Sequence, residues 1–147
     1  MENKTPIVIG SDHAGYALKE LVKDYLTALN IEVEDCGTYS EESVDYADFG
    51  IAVAGKVSSG DFKRGILVCG TGLGMSMVAN RFKYVRSALC NDIFSAMMSR
   101  QHNDSNILVL GGRVIGVELA KEIVQVWLKT SFEGGRHKSR IDKFDTI

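Results

Sequence analysis

The sequence is short of proline, of paired cysteines and of charge of one sign. Pro6 is its one proline in 147 residues, and no linker, repeat or low-complexity tract interrupts the chain, so a single domain over residues 1–147 is expected. Three cysteines without CxxC spacing exclude a disulfide framework and a zinc knuckle. The net charge of -2 provides no broad field for binding nucleic acid or an anionic membrane. Any anion site must be local.

Long hydrophobic runs are also missing. No run approaches the roughly 20 apolar residues that span a bilayer, and residues 1–4 lead into a short apolar strand without the hydrophobic region of a signal peptide. A cytoplasmic location with reduced cysteines is therefore expected. With 45% apolar and 24% charged residues, the composition is that of a globular chain and excludes disorder as the main state.

Short apolar runs alternate with amphipathic segments along the chain. Strands are predicted at residues 7–10, 31–36, 65–69, 85–90 and 107–110, and helices at 14–29, 46–57, from 70 onward, 93–100 and 117–128. Five such units predict a doubly wound, Rossmann-like α/β/α sandwich around a five-stranded parallel sheet. Ligands of such sheets bind at the carboxyl ends of the strands.

A glycine-rich loop follows the third predicted strand. In Cys69–Met75, the glycines Gly70, Gly72 and Gly74 join an apolar strand to a helix, so backbone N–H groups there favour an anion. The spacing fits neither a dinucleotide fingerprint nor a P-loop. The alternative is a turn that serves only close helix packing.

The three cysteines differ in their surroundings. Cys69 directly precedes the glycine-rich loop, where a helix N-terminus would stabilise a thiolate and make it a candidate base or nucleophile. Cys36 and Cys90 also end predicted strands but lack such a loop, and small buried hydrophobes are the expectation for them.

The histidines offer no metal motif. His13, His102 and His137 are dispersed, without HExxH or HxH spacing, so no metal is expected. His13 follows Asp12 at the predicted crevice and is a candidate anion ligand or a helix cap. His102 ends a predicted helix, where complementing the helix dipole is its alternative role.

A basic cluster lies near the end of the chain. Residues 134–140 carry three permanent cations and no acid. Arg136 and Arg140 share one face if this segment is helical, a spacing that suits phosphate binding. The alternative is a solvated basic tail, and nucleic-acid binding is disfavoured because no aromatic residues interleave.

Together, the motifs resemble the ribose-5-phosphate isomerase B family, which also includes galactose-6-phosphate isomerase subunits. They are, in order, GSDHAG at 10–15, DY at 45–46, GILVCGTG at 65–72, SRQHND at 99–104 and EGGRH at 133–137. The resemblance implies that Cys69 is the base between C1 and C2, that Thr71 assists it, and that the loop stabilises an enediolate. His102 is implied to open the sugar ring. No cofactor is implied.

The resemblance also implies the substrate contacts. Asp12, Tyr46 and Asn103 would contact sugar oxygens, and the phosphate would be surrounded by His13, Arg113, Arg136, His137 and Arg140. Met75 stands where another branch of the family has a catalytic glutamate, which places the chain in the cysteine branch. Ala47 stands where many members have proline. The alternatives are an isomerase of a six-carbon sugar phosphate, such as allose or galactose 6-phosphate, and a non-catalytic flavodoxin-like ligand-binding module.

The direction of the chain predicts an assembly. A helix that follows a parallel strand returns to the opposite edge of the sheet, so His102 and the tail would end far from Cys69. A homodimer is therefore expected, or a tetramer, in which each site combines Cys69 of one chain with His102 and the tail at residues 131–147 of its partner.

Overall fold

A computed structural model describes residues 4–147, and the first three residues of the predicted 1–147 domain lie outside this range. Five strands and six helices follow one another within it. They are β1 (Ile7–Ser11), α1 (Tyr16–Ala28), β2 (Val33–Asp35), α2 (Tyr46–Ser58), β3 (Arg64–Cys69), α3 (Leu73–Ala79), β4 (Ser87–Leu89), α4 (Ile93–Gln101), β5 (Ile107–Gly111), α5 (Val117–Lys129) and α6 (Arg136–Asp145).

All five strands pair in parallel in the order β2-β1-β3-β5-β4, so the predicted α/β architecture is confirmed. This order differs from the 2-1-3-4-5 order of flavodoxin-like sheets, because the last two strands exchange places. Strand β5 therefore lies inside the sheet and β4 at its margin. Strands β1 and β5 are wholly buried, as expected where helices cover both faces.

Each face of the sheet has its own apolar core. Side chains alternate along a strand, so Ile7 and Ile9 pack towards α1 and α5, whereas Val8 packs towards α2 and α3. Trp127 on α5 is fully buried in the first core and Met75 on α3 in the second. Within residues 4–147, no helix is long and apolar enough to cross a membrane.

Some predicted boundaries were wrong. The strands predicted at 31–36 and 85–90 span only Val33–Asp35 and Ser87–Leu89, because these two lie at the sheet margins and pair with one neighbour each. The third helix begins at Leu73, after Gly72 adopts a left-handed φ of 84°. The basic tail, left open between helix and solvated coil, forms α6.

The two edges of the sheet carry different segments. The strands end at the carboxyl edge, with Cys69 its buried terminus on β3. At the opposite, amino edge, Asn106 accepts a hydrogen bond from Gly65 at 2.9 Å, and Arg86 pairs with Asp145 of α6 at 3.0 Å. The segment after α4 and the tail helix therefore lie at the amino edge, as predicted. A strand of six residues places the edges about 17 Å apart.

Candidate active site

The Cys69 thiol lies inside the glycine-rich loop. Its side chain is 5% exposed, and the Gly72 N–H donates a hydrogen bond to Sγ at 3.2 Å. Glycine at position 72 is required twice over. Its φ is 84°, and a Cβ there would lie 2.4 Å from Cδ1 of Leu89. The backbone therefore closes around the sulfur and directs an N–H donor at it.

The loop is fixed to the neighbouring strand β5. Gly112 donates to the Cys69 carbonyl at 2.8 Å, and Arg113 donates to the Gly70 carbonyl at 2.9 Å. The Arg113 side chain lies against the loop: a Cβ on Gly70 would be 3.5 Å from its Nη1. Thr71 is exposed, and its Oγ1 accepts from the Leu73 N–H at 3.2 Å. A permanent cation and a hydroxyl thus accompany the thiol.

Tyr46 forms one wall of this edge. Its ring packs on Gly74, where a Cβ would lie 2.5 Å from Cε2 of the ring. Tyr46 is the first residue of α2, and Asp45 caps that helix by accepting from the Ala47 N–H at 2.9 Å. Ala47 therefore supplies an N–H donor that a proline at this position would lack.

Asp12 and His13 follow β1 at the same edge. Asp12 is 7% exposed, and its Oδ1 accepts from the Gly15 N–H at 2.9 Å. Nδ1 of His13 accepts from the Val44 N–H at 3.1 Å, so the neutral ring carries its hydrogen on Nε2. Both side chains are held in place by the backbone. The structure thus gathers eight predicted residues at the edge where Cys69 lies: Asp12, His13, Tyr46, Thr71, Arg113, Gly70, Gly72 and Gly74.

The other predicted residues form a second cluster at the amino edge. The rings of His102 and His137 stack with centroids 4.3 Å apart and planes 13° apart. His137 is 4% exposed, and burial, together with nearby His102 and Arg136, lowers its pKa from the usual value. Asn103, Arg136 and Arg140 are exposed beside this pair.

The remaining cysteines do not share the surroundings of Cys69. Burial raises the pKa of the Cys36 thiol, and burial raises the pKa of Cys90 to about 11. Both thiols are therefore protonated near neutral pH. Neither is suited to removing a proton from carbon.

A buried ion pair lies behind the site, and no sequence pattern predicts it. Lys19 is fully buried and donates to Asp35 at 2.6 Å. Asp35 in turn accepts from the Gly37 N–H at 2.8 Å, and the Gly37 carbonyl accepts from Ser11 at 2.7 Å. Lys19 lies on the polar face of α1, and the sequence pattern predicts that side chains on this face are exposed to solvent. The pair anchors the strand end that leads into Asp12.

The carboxyl edge therefore combines a buried thiol, backbone donors, an acid, an imidazole and a cation around one loop. This combination defines an enzyme that moves protons on a small anionic substrate. The family model for ribose/galactose isomerases matches residues 7–144.

Individual proteins agree with the family match. The chain is 45% identical to ribose-5-phosphate isomerase B of Escherichia coli (strain K12), over 96% of this chain and 95% of that protein. The crystal structure of a Thermotoga maritima ribose 5-phosphate isomerase superposes with a TM-score of 0.96 at 54% identity, covering 99% of this chain and all of that one. A Mycoplasma genitalium ribose-5-phosphate isomerase B with bound ribulose-5-phosphate gives a TM-score of 0.92 at 41% identity, over 96% and 94% of the chains.

The chain belongs to the ribose/galactose isomerase family. It is an aldose–ketose isomerase.

Proposed function

We propose that the protein interconverts ribose 5-phosphate and ribulose 5-phosphate through an enediolate, with Cys69 as the base. The observation that carries this proposal is the Cys69 thiol enclosed by the glycine-rich loop and hydrogen-bonded by the Gly72 N–H. The names of the relatives in Escherichia coli and Thermotoga maritima support the pentose phosphate.

The reaction has two chemical demands, and one loop meets both. A base must remove a weakly acidic proton from C2 of the aldose and return it at C1, and donors must hold the enediolate oxygens. The Cys69 thiolate is the base, and the N–H groups of residues 70–74 are the donors. One such donor is worth about 10²-fold to 10³-fold in rate.

The open-chain sugar must first be released from its ring. Sugar phosphates lie mostly in cyclic form, so a group that exchanges protons near neutral pH is required, and histidine is suited to it. We assign this step to His102. Asp12, Tyr46 and Asn103 bind the sugar hydroxyls.

The phosphate is held at a distance from the reacting carbons. Its ligands are His13, Arg113, Arg136, His137 and Arg140. Guanidinium groups bind phosphate in a fixed, forked geometry, and anchoring this end of the substrate holds C1 and C2 over the thiolate.

A second copy of the chain completes each site in this proposal. Cys69 lies at the carboxyl edge and His102 at the amino edge, about 17 Å apart along the strand direction, so a single five-carbon substrate does not reach both. The carboxyl edge also exposes a set of large apolar side chains, an expected feature of an interface. They are Leu73, Phe94 and Val114. A two-fold homodimer would contain two shared sites.

Hydrogen exchange tests the assignment of the base. In ²H₂O, wild-type protein is expected to incorporate deuterium at carbon during turnover of ribose 5-phosphate, whereas Cys69→Ala should show no exchange and still bind the sugar phosphate. Cys36→Ala is the matched control and should exchange normally. Substantial turnover by Cys69→Ala would contradict the proposal. The same assay with allose 6-phosphate measures the preference for five carbons over six.

A further inference from the structure

A group of metal-ligating side chains lies at the amino edge, and the spacing of the histidines gave no hint of it. The nitrogen and carboxylate atoms of His102, Glu133 and His137 all lie within 4.8 Å of one another. Glu133 and His137 are four residues apart around the start of α6, and His102 comes from the end of α4. The fold therefore assembles the three from two separate segments.

One nitrogen of this group has unused hydrogen-bonding capacity. Nε2 of His137 is buried and has no hydrogen-bond partner among residues 4–147, although the side chain of Glu133 brings an oxygen to 3.4 Å from it. A buried polar atom without a partner costs free energy. His137 is 4% exposed, so this nitrogen faces the cluster and not bulk water.

We propose that His102, Glu133 and His137 bind Zn²⁺, and that the bound ion inhibits the isomerase by occupying the ring nitrogen that His102 needs for ring opening. The inhibition rests on the function proposed above, whereas the binding does not. Two imidazoles and one carboxylate are an established zinc donor set, and they leave a fourth position open.

The geometry requires one adjustment. Ligands at the usual zinc distances of about 2.0–2.1 Å lie roughly 3.4 Å from one another in a tetrahedral site, and the Glu133–His137 pair already has this separation at 3.4 Å. Stacked rings direct their lone pairs in parallel, so His102 must turn towards the ion. Its ring is only half-buried, and rotation about its side-chain bonds is sufficient.

The surrounding charge limits the affinity. Arg136 and Arg140 lie close enough to His137 to influence its charge state, and their positive charges oppose a divalent cation. We therefore expect a dissociation constant in the micromolar range, weaker than that of structural zinc sites. Zinc should therefore act as a reversible inhibitor and not as a permanent cofactor.

Calorimetric titration of the full-length protein with Zn²⁺ in phosphate-free buffer tests the binding. We expect one ion per chain, and Glu133→Gln should weaken binding by about tenfold or more, since even outer-shell partners act on this scale. Glu133 is an exposed side chain, so this variant is expected to fold. Glu118→Gln, an exposed acid on α5, is the charge-matched control and should bind as wild type does.

Two further arms separate the possible failures. Cys69 is not one of the three proposed ligands, so Cys69→Ala should bind zinc as wild type does. Loss of zinc binding in Cys69→Ala would overturn the proposal. An absence of saturable binding by wild type, or unchanged binding by Glu133→Gln, would also overturn it. In the isomerase assay, zinc should inhibit wild type more strongly than Glu133→Gln. If zinc binds as described but the zinc-free protein shows no activity on ribose 5-phosphate, the metal site stands and only the proposed function is overturned.

Discussion

Gly72→Ala is the substitution whose cost follows most directly from the loop geometry. An L-residue at a φ of 84° costs about 1–2 kcal/mol, and forcing a methyl group to 2.4 Å from Leu89 adds about 1–3 kcal/mol of overpacking. Reduced entropy of the unfolded chain returns about 0.4–1 kcal/mol. The free energy of unfolding should fall by roughly 3 kcal/mol, and Tm by roughly 6–12 °C at this chain length.

Gly60→Ala provides the matched control. Gly60 also has a positive φ, 88°, but a Cβ there would meet no atom within 4 Å, so only the backbone term applies and the loss should be about 1 kcal/mol or less. Urea unfolding of both variants at equal protomer concentration measures the difference. Equal losses would refute the steric argument. Isomerase activity should fall in Gly72→Ala alone, because the N–H that contacts the Cys69 sulfur moves with the loop.

Four shorter predictions follow from the same contacts. Asp35→Asn should destabilise the protein by about 3 kcal/mol because buried Lys19 loses a partner. Burial alone would raise the pKa of Asp35, but hydrogen bonds from Lys19 and Lys23 outweigh it, and the pKa is lowered. The stability that Asp35 contributes is therefore present above the unfolded pKa and lost as the pH falls through the folded pKa, so urea unfolding of the variant should depend less on pH below about 4. His102→Ala should slow turnover of cyclic ribose 5-phosphate more than that of ribulose 5-phosphate. If the rate of the chemical step falls by the same factor from both sugar phosphates, His102 has a structural role instead. Cys36→Ala and Cys90→Ala should keep most of their activity in the same assay. Dialysis against EDTA should leave activity undiminished, because the proposed proton transfers use side chains alone; a loss that zinc restores would contradict this.

The central part of the fold was predictable from the sequence because it depends on local patterns. The strand at residues 65–69 is apolar on both faces and lies between two neighbours in the sheet. The margins were not predictable to the residue, since the lengths of β2 and β4 depend on pairing with a single neighbour. The sixth helix makes tertiary contacts such as the Arg86–Asp145 ion pair. Local sequence patterns do not indicate such contacts.

The candidate site shows the same division. The glycine-rich loop was predictable because its residues are contiguous, and the edge on which His102 lies followed from chain direction. The Lys19–Asp35 pair joins two distant residues, and the EGGRH motif did not indicate that Glu133 approaches His137. Polar residues on a helix are usually solvated, so pattern alone gives no reason to pair them.

Mixing two inactive variants tests the shared site most directly. Cys69→Ala and His102→Ala proteins, each nearly inactive alone, are unfolded together in equal amounts and refolded. If each site takes Cys69 from one chain and His102 from its partner, half of the dimers are mixed and each contains one intact site, so about a quarter of the wild-type activity should return. If mass spectrometry shows mixed dimers and no activity returns, His102 does not act on the partner's site and the account is wrong.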